Sequence, residues 1–565
     1  MKKITQTIFN GLLILCFINI TFKSLAQISE DGIPPSFTNL TLQKINFPTV
    51  KLIPPDIVKL NAEDNLLEQQ KIKKPPRMAV SIPVDINMDN SGTWITLNNG
   101  DRIWILCIEA PDALALGTYY DNFYLPDGTE LYLYNEDKTQ VIGAFTSKNN
   151  HESGLFATEF IQGSKTYIEY YQPAMVSSSP IFHINEIAYG YRLIHFPFLK
   201  TKEFGDSQAC EVNVNCPQGS NWQDQKRGIA RISIKIGSYY YWCSGSLINN
   251  VKEDCTPYFL TACHCGDGAS TSDLNQWVFY FNWEAPGCTT PTTSPSWKTM
   301  TGASFKATDG NEGNNGSDFY LIKLNNTPPA SYNLYLNGWS RSTTPSPSGV
   351  SIHHPAADIK KISTYSTTLT SGSWGATNSH WVVKWSSGVT EEGSSGSPLF
   401  NNSKQLIGSL TGGMSACTIN GAGSGTGPNE PDYYGKFSYS WANNGTVASK
   451  RLKDWLDPNN TNVTAINGRY ACQNVSINEQ QNNNQINLFP NPAKDYIVIN
   501  MGNDPNLKDT RISISDIVGN IIATFMVTET FPNMIKLDIS NYAPGIYFIK
   551  IDNQKNIITK KITKI

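Results

Sequence analysis

The sequence predicts an all-β chain, on two observations. Short runs rich in β-branched and aromatic residues recur along its length, among them Arg102-Ile-Trp-Ile-Leu-Cys-Ile108, Glu130-Leu-Tyr-Leu-Tyr134 and Ile535-Lys-Leu-Asp-Ile539. Charged residues are sparse, at 16% of the chain, while Gly, Asn, Ser and Thr are abundant, as suits strands joined by turns. The chain divides by composition into a leader (1–26), three β-rich blocks (27–202, 203–472 and 487–565) and an Asn/Gln-rich linker (473–486).

The leader reads as a secretory signal. Lys2 and Lys3 give a positive start, Phe9 to Ile20 an apolar stretch, and Ser24-Leu25-Ala26 a small-x-small cleavage site. No later run reaches about 18 apolar residues, so no stable membrane span is expected. Export implies an oxidising compartment, where cysteines are readable as disulfides. Of the 11 cysteines, Cys16 leaves with the leader, Cys107 stands alone, eight fall between Cys210 and Cys417, and Cys472 closes that stretch. The middle block is therefore the stapled one. A net charge of −3 offers nothing to nucleic acid.

The first block carries strand patterns at Ser91-Gly-Thr-Trp-Ile-Thr-Leu97, Arg102–Ile108, Glu130–Tyr134 and Tyr167-Ile-Glu-Tyr-Tyr171, with a turn at Leu125-Pro-Asp-Gly128. It is long enough for its own core and has no catalytic motif.

Chemistry enters in the middle block through three segments: Leu260-Thr-Ala-Cys-His-Cys265, Gly316-Ser-Asp-Phe-Tyr-Leu-Ile-Lys-Leu324 and Gly393-Ser-Ser-Gly-Ser-Pro398. A serine hydroxyl is a poor nucleophile until a base takes its proton. The base in turn needs a carboxylate to hold its tautomer and stabilise its charged form. His264, Asp318 and Ser395 supply these three groups. Their order along the chain is that of chymotrypsin-like double β-barrel proteases.

From Cys210 to Pro458 the sequence resembles the lysyl endopeptidase family, a branch of the trypsin-like fold. The resemblance runs through Cys210-Glu-Val-Asn-Val-Asn-Cys216, Trp242-Cys-Ser-Gly-Ser-Leu-Ile-Asn-Asn250, Tyr258–Cys265, Ser317-Asp-Phe319, Ile352-His-His-Pro355, Val389-Thr-Glu391, Asp432-Tyr-Tyr-Gly435 and Leu452-Lys-Asp-Trp-Leu-Asp-Pro458. It implies a triad of His264, Asp318 and Ser395, and an oxyanion hole made by the N–H groups of Gly393 and Ser395. It implies disulfides Cys210–Cys417, Cys216–Cys288 and Cys243–Cys265, a choice the sequence alone leaves among 15 connectivities. The last pair also has a local reason, since it pins the strand before the histidine to the histidine loop. Cys255, Cys263 and Cys472 fall outside the pattern; Cys263 pairs with Cys255 or stays buried as a small apolar group.

Specificity also comes by resemblance. Six residues before the serine, where many trypsins hold an acid, stands Val389. The family instead takes an aspartate from a later strand, matched by Asp432. Its tryptophan beside the catalytic histidine is matched by Trp374, but the histidine that stacks on that tryptophan falls on Thr411, so the stack is absent or altered. His353 and His354 read as structural. Glu391 and Glu392 flank the serine turn and read as shaping it. No metal or cofactor site is evident. With a protease in the middle, the first block is expected to be a β-rich propeptide that assists folding and blocks the active site. A carbohydrate- or surface-binding domain is the alternative.

The last block has period-two strands at Arg511-Ile-Ser-Ile-Ser-Asp-Ile-Val-Gly519, which ends in a turn, Ile535–Ile539 and Gly545-Ile-Tyr-Phe-Ile-Lys-Ile551, as in a small β-sandwich. Leu488-Phe-Pro-Asn-Pro-Ala493, Asp516-Ile-Val-Gly519, Pro544-Gly-Ile-Tyr-Phe548 and the closing Lys560-Lys561 resemble the C-terminal sorting domain of type IX secretion systems. The resemblance implies that machinery as a partner, passage through the periplasm, and a monomer that ends secreted or on the cell surface. The function implied for the whole is a serine endopeptidase cleaving protein or peptide substrates after lysine. A protease of arginine or mixed specificity and an inactive protease-fold surface-binding protein are the alternatives.

Overall fold

The computed structural model describes residues 32–39, 42, 46–69, 75–192, 207–417, 429–471, 487–500, 510–527, 534–552 and 557–565. The leader, Lys200, Lys202, Cys472 and the Asn/Gln-rich linker lie outside the described residues. The chain forms two compact units, Met1–Cys472 and Gln473–Ile565. No helix among the described residues is long and apolar enough to cross a membrane.

Seven strand segments close the first barrel of the middle block. Ile229–Ile236 pairs antiparallel with Tyr239–Ile248, which pairs with Tyr258–Thr261, which pairs with Tyr320–Leu324. Tyr320–Leu324 pairs with Ala303–Thr308, and Lys298–Thr301 pairs with Val278–Phe281, which returns to Ile229–Ile236. Gly302, at φ +88°, joins the last two segments and turns the corner between them. The barrel is filled by Ile232, Leu247, Phe259, Phe279, Ile322 and their neighbours.

The second barrel runs Lys361–Tyr365, Gly349–His353, Pro398–Asn401, Leu406–Gly413, Asp432–Lys436 and His380–Val383. A bridge between Thr364 and Ser387 brings its edges together. Between the barrels lies a separate core around Trp339, whose ring stacks on Phe437 and meets Trp441. Disulfides join Cys210 to Cys417, Cys216 to Cys288 and Cys243 to Cys265. Cys255 is disulfide-bonded as well, so of the two outcomes for Cys263 the free one holds: with Cys107 it is a free, buried thiol.

The first block is built on the barrel rather than tethered beside it. One sheet runs Thr49–Lys51, Arg102–Glu109, Lys165–Gln172, Glu130–Tyr134 and Val141–Phe145. A second runs Ala115–Tyr124, Ile181–Gly190 and Arg77–Asn87. It continues into the barrel, because Val80 and Ala79 pair with Tyr239 and Tyr240. The joint is apolar, with Tyr119, Phe160 and Ala188 packed on Tyr240, Trp242 and Tyr280. A polar set sits inside it. Glu159 accepts hydrogen bonds from Thr299 Oγ1 at 2.8 Å and from Trp297 Nε1. Nearby Arg231 lies over the rings of Trp242, Tyr280 and Trp283 at 4.1, 4.3 and 4.1 Å, and donates to the Ala357 carbonyl at 2.9 Å.

In the second unit a three-stranded sheet (Asn487–Phe489, Tyr496–Asn500, Met534–Asp538) and a four-stranded sheet (Ile521–Val527, Thr510–Ser515, Gly545–Asp552, Ile557–Lys564) share a core of Ile497, Ile499, Ile512, Ile549 and Ile562. It is a sandwich, assembled from the alternating runs read in the sequence.

Burial pushes the Glu159 carboxyl up to about 7, against the hydrogen bonds and cations that oppose it. A carboxyl raised above its unfolded value favours the folded state most at low pH and loses that advantage as pH rises through the folded value. The denaturation midpoint of Glu159→Gln should therefore gain on the parent's as pH rises from 4.5 to 7. Urea titrations of both proteins across that window check it; a constant difference would show that Glu159 ionises freely at the joint.

Candidate active site

The register of two strands brings the first two groups of the site together. Thr261 lies opposite Tyr320. The chain beyond Thr261 curls into a helical turn, Cys263–Gly266, while the chain before Tyr320 arrives through Asp318. The Cys263 N–H donates to the Asp318 carbonyl at 3.2 Å. The Asp318 carboxylate then takes two bonds from one residue: the His264 N–H at 2.9 Å on Oδ1 and the His264 Nδ1 at 2.7 Å on Oδ2. Asp318 is fully buried and His264 only 3% exposed, so the ring is fixed in direction and Nδ1 carries the proton towards the carboxylate. That leaves Nε2 as the basic nitrogen.

Ser395 comes from the second barrel. Its carbonyl accepts the Ser244 N–H at 2.8 Å, across the seam between the barrels. Gly396, at φ +79°, packs where a Cβ would stand 2.6 Å from the Ser244 carbonyl and 2.7 Å from the Ala262 nitrogen, and would overlap Thr261 Oγ1. Only glycine permits that approach, and it sets the serine turn against the strand end that carries His264. The Cys243–Cys265 disulfide ties the same two elements of the first barrel. Ser395 is half-buried, and its hydroxyl makes no hydrogen bond to His264 among the described residues.

The turn presents two open donors. Gly393 lies at φ +87°, with a Cβ position 2.8 Å from the Ala357 nitrogen. The Ser394 N–H bonds back to the Glu391 carbonyl and the Gly396 N–H to the Leu410 carbonyl. The N–H groups of Gly393 and Ser395 between them have no acceptor among the described residues. Such a pair can stabilise an oxyanion. The turn is braced from below: Ser394 Oγ meets His353 Nδ1 at 2.8 Å, and the Ala356 N–H meets the Glu392 carbonyl at 2.7 Å. Burial pushes His353 down to about 3, so it braces as a neutral ring. Behind it are the buried Glu211 and Glu391. Burial raises both, Glu391 up to about 7, and Glu391 also accepts the Gln208 N–H at 3.0 Å.

Asp432 is 1% exposed and opens a strand beside Gly413. Oδ2 accepts from Trp385 Nε1 at 2.6 Å, Thr390 Oγ1 at 2.7 Å and Ser415 Oγ at 2.6 Å, whereas among the described residues Oδ1 has only the Ser415 N–H at 3.2 Å. Burial raises its pKa, and these donors oppose the rise. Val389 is wholly buried in the second-barrel core and faces no charge. Trp374 packs edge-on to Tyr433 at 5.0 Å and lies 6.5 Å from the ring of His380. Thr411, at the position expected of the stacking histidine, holds His380 Nε2 at 2.9 Å. A histidine thus lies beside Trp374, tilted to it rather than stacked, and comes from strand His380–Val383, two places across the sheet from Thr411.

Sequence reasoning missed Trp385, Thr390 and Ser415 around Asp432, His380 behind Thr411, and Asp309, which accepts the Asp318 N–H at 2.7 Å. The one signal for Asp309 was an aspartate opening the glycine-rich stretch Asp309-Gly-Asn-Glu-Gly-Asn-Asn-Gly316. Among the described residues no group of three or more His, Cys, Asp or Glu side chains could hold a metal ion.

Comparison with known proteins gives two family matches. Residues 204–435 match the family described as lysyl endopeptidase, C-terminal domain, and residues 487–564 the secretion system C-terminal sorting domain. A lysyl endopeptidase of Pseudomonas aeruginosa is 31% identical over 227 residues, which is 38% of this chain and 47% of the relative, so the match spans about half of that protein. Among solved structures, the protease Anisep from Arthrobacter nicotinovorans is 17% identical, covering 37% of this chain and 90% of its own, with a TM-score of 0.27. A serine endoprotease from Yersinia pestis is 15% identical, covering 38% and 61%, with a TM-score of 0.25. Residues 204–435 are thus similar to the C-terminal domain of lysyl endopeptidases, and residues 487–564 match a secretion sorting domain, which goes with a protein secreted or held at the cell surface.

Proposed function

We propose that the chain is an exported serine endopeptidase that cleaves after lysine. The observation that carries the chemistry is the doubly bonded His264–Asp318 pair beside a serine turn with two free N–H groups. Ser395 Oγ attacks the scissile carbonyl while His264 Nε2 takes its proton. Asp318 holds the imidazolium that forms. The N–H groups of Gly393 and Ser395 receive the oxyanion, the imidazolium protonates the departing amine, and an acyl-enzyme remains. Water, activated by the same histidine, then releases the acid and restores Ser395.

Lysine preference is supported by Asp432. A carboxylate buried this deeply is costly without a cation, and a substrate ammonium provides one. Oδ2 is already saturated by three donors, which leaves Oδ1 as the point of attachment. A single acceptor suits the compact lysine ammonium better than the two-pronged arginine guanidinium. The first block is read as a propeptide, docked through strand Arg77–Asn87 and released by cleavage after Lys200 or Lys202. The sorting domain is read as the part the type IX machinery handles.

Ser395→Ala should lower turnover by about a million-fold and abolish labelling by a fluorophosphonate, with the fold intact by circular dichroism. Normal turnover in the variant would remove the triad assignment; an unlabelled parent would favour an inactive binding protein. Asp432→Asn should cost about 10²–10³-fold on lysyl peptides, the worth of one partner in a buried ion pair, and far less on an uncharged active ester. Bonds cut in a denatured protein, read by mass spectrometry, decide between lysine, arginine and mixed preference. Truncation after Gln481 should leave an active enzyme in the periplasm, measured by activity in cell fractions; normal export would count against the sorting role.

A further inference from the structure

The carboxyl of Asp318 reaches His264 from an awkward backbone. Asp318 sits at φ +54°, in the left-handed region that residues other than glycine rarely occupy. Such a conformation persists only where its surroundings hold it. The stretch 309–316 wraps around it. Gly313, at φ +71°, leaves room where a Cβ would lie 2.5 Å from the Asp318 carboxyl carbon. Gly316 does the same for Asp309, with a Cβ position 2.7 Å from the Asp309 Cβ. The Glu312 N–H ties the loop to Asp267 Oδ2 at 2.9 Å, next to the turn that bears His264, and Lys450 Nζ holds the Asp309 carbonyl at 2.8 Å. From the other side Ser440 and Asn444 grip the Ser317 hydroxyl at 2.8 and 2.9 Å. Among the described residues, the acceptor for the Asp318 amide itself is Asp309 Oδ2, at 2.7 Å.

We propose that Asp309 is a positioning residue for catalysis, whose carboxylate takes the Asp318 N–H and fixes the left-handed turn from which Asp318 holds His264. This rests on the peptidase reading above. A neutral acceptor would serve a purely structural turn at lower electrostatic cost, because two carboxylates in one buried site repel. Burial, with the charge of Asp318 added, pushes the Asp309 carboxyl up to about 7, against the Asp318 amide and Cys263. Above that value the carboxylate carries its charge and supports the imidazolium that His264 becomes. The titratable and charged groups against Asp309 are Asp318, Cys263 on the histidine turn and Lys450; His264 lies beyond Asp318, and Asp267 and Glu312 meet at the far side of the loop.

Three forms of the full chain test this: the parent, Asp309→Ala and Asp309→Asn. The alanine variant, with the Asp318 amide released, should lose about 100-fold in kcat with KM unchanged, the scale expected when a catalytic group is misplaced by about 1 Å. The asparagine variant keeps an acceptor and should recover most of kcat. Without the charge, its imidazolium is less stable, so the acid limb of its kcat/KM profile should move to lower pH. An alanine variant with kcat close to the parent's overturns the proposal, as does an asparagine variant equally slow at every pH. If the alanine variant does not fold, an asparagine variant with an unshifted acid limb overturns it. A parent that hydrolyses no peptide would instead refute the peptidase reading.

Discussion

The backbone contact at Gly396 governs the catalytic arrangement. Ser395 and His264 belong to different barrels, and a serine turn can meet a histidine loop only if the two backbones close to contact distance. With no side chain at Gly396, its Cα can lie against Thr261, Ala262 and the Ser244 carbonyl. The Ser244 N–H then bonds the Ser395 carbonyl and the Ser244 hydroxyl bonds the Gly393 carbonyl at 2.8 Å, so one residue of the first barrel grips both ends of the turn. The same hydroxyl accepts the His354 N–H at 3.0 Å, which brings in the segment against which Gly393 packs. Ser395, the open N–H groups of its turn and His264 are thus positioned by one seam, and the core around Trp339 lies along it.

Around the seam lie several buried carboxylates, and each is accommodated differently. Asp318 is bonded twice by His264. Asp432 is met by three donors on one oxygen and, among the described residues, by the Ser415 N–H alone on the other. Glu159 is shared between the two halves of the first unit. Asp309 is bonded to the amide of a second acid. A buried carboxylate is costly unless something compensates its charge. Where compensation is complete the group is structural or orienting. Where it is incomplete, as at Asp432 Oδ1, part of the desolvation cost is left standing.

Much of this was legible in the sequence, and the reasons for the rest are physical. The strands at 102–108, 130–134 and 545–551 were visible because alternating or β-branched runs are local signals. His264, Asp318 and Ser395 were visible because a nucleophile turn and its base need particular neighbours in a particular order. Asp432 came into view only through a resemblance, since nothing local marks an aspartate in Pro-Asp-Tyr-Tyr as one that will be buried. Its partners Trp385, Thr390 and Ser415 come from three segments and converge only in the folded barrel. The glycine-rich stretch before Asp318 reads locally as a flexible loop. It is instead shaped to admit two carboxyls, and a sequence does not distinguish glycines that allow motion from glycines that allow close approach. The histidine behind Thr411 was hidden for a similar reason: the expected ring is supplied by His380, two strands away, and a position-by-position reading registers the loss and not the replacement.

The joint between the first block and the catalytic barrel follows from an edge. Strand Tyr239–Ile248 pairs with Ile229–Ile236 and Tyr258–Thr261, but over Tyr239–Tyr241 one side lies beyond the reach of Tyr258–Thr261. An unpaired edge invites another strand. Arg77–Asn87 fills it, and Arg77 itself sits 4.8 Å over the Tyr239 ring while bonding Asp64. The aromatic face beside that edge, Tyr240, Trp242 and Tyr280, is covered by the same block. Arg231 extends the connection to the active site, for its guanidinium is stacked against Trp242 and Tyr280 at the joint and bonded to Ala357, whose nitrogen lies against Gly393. The face that the first block covers and the serine turn are therefore linked by a short path through Arg231 and Ala357.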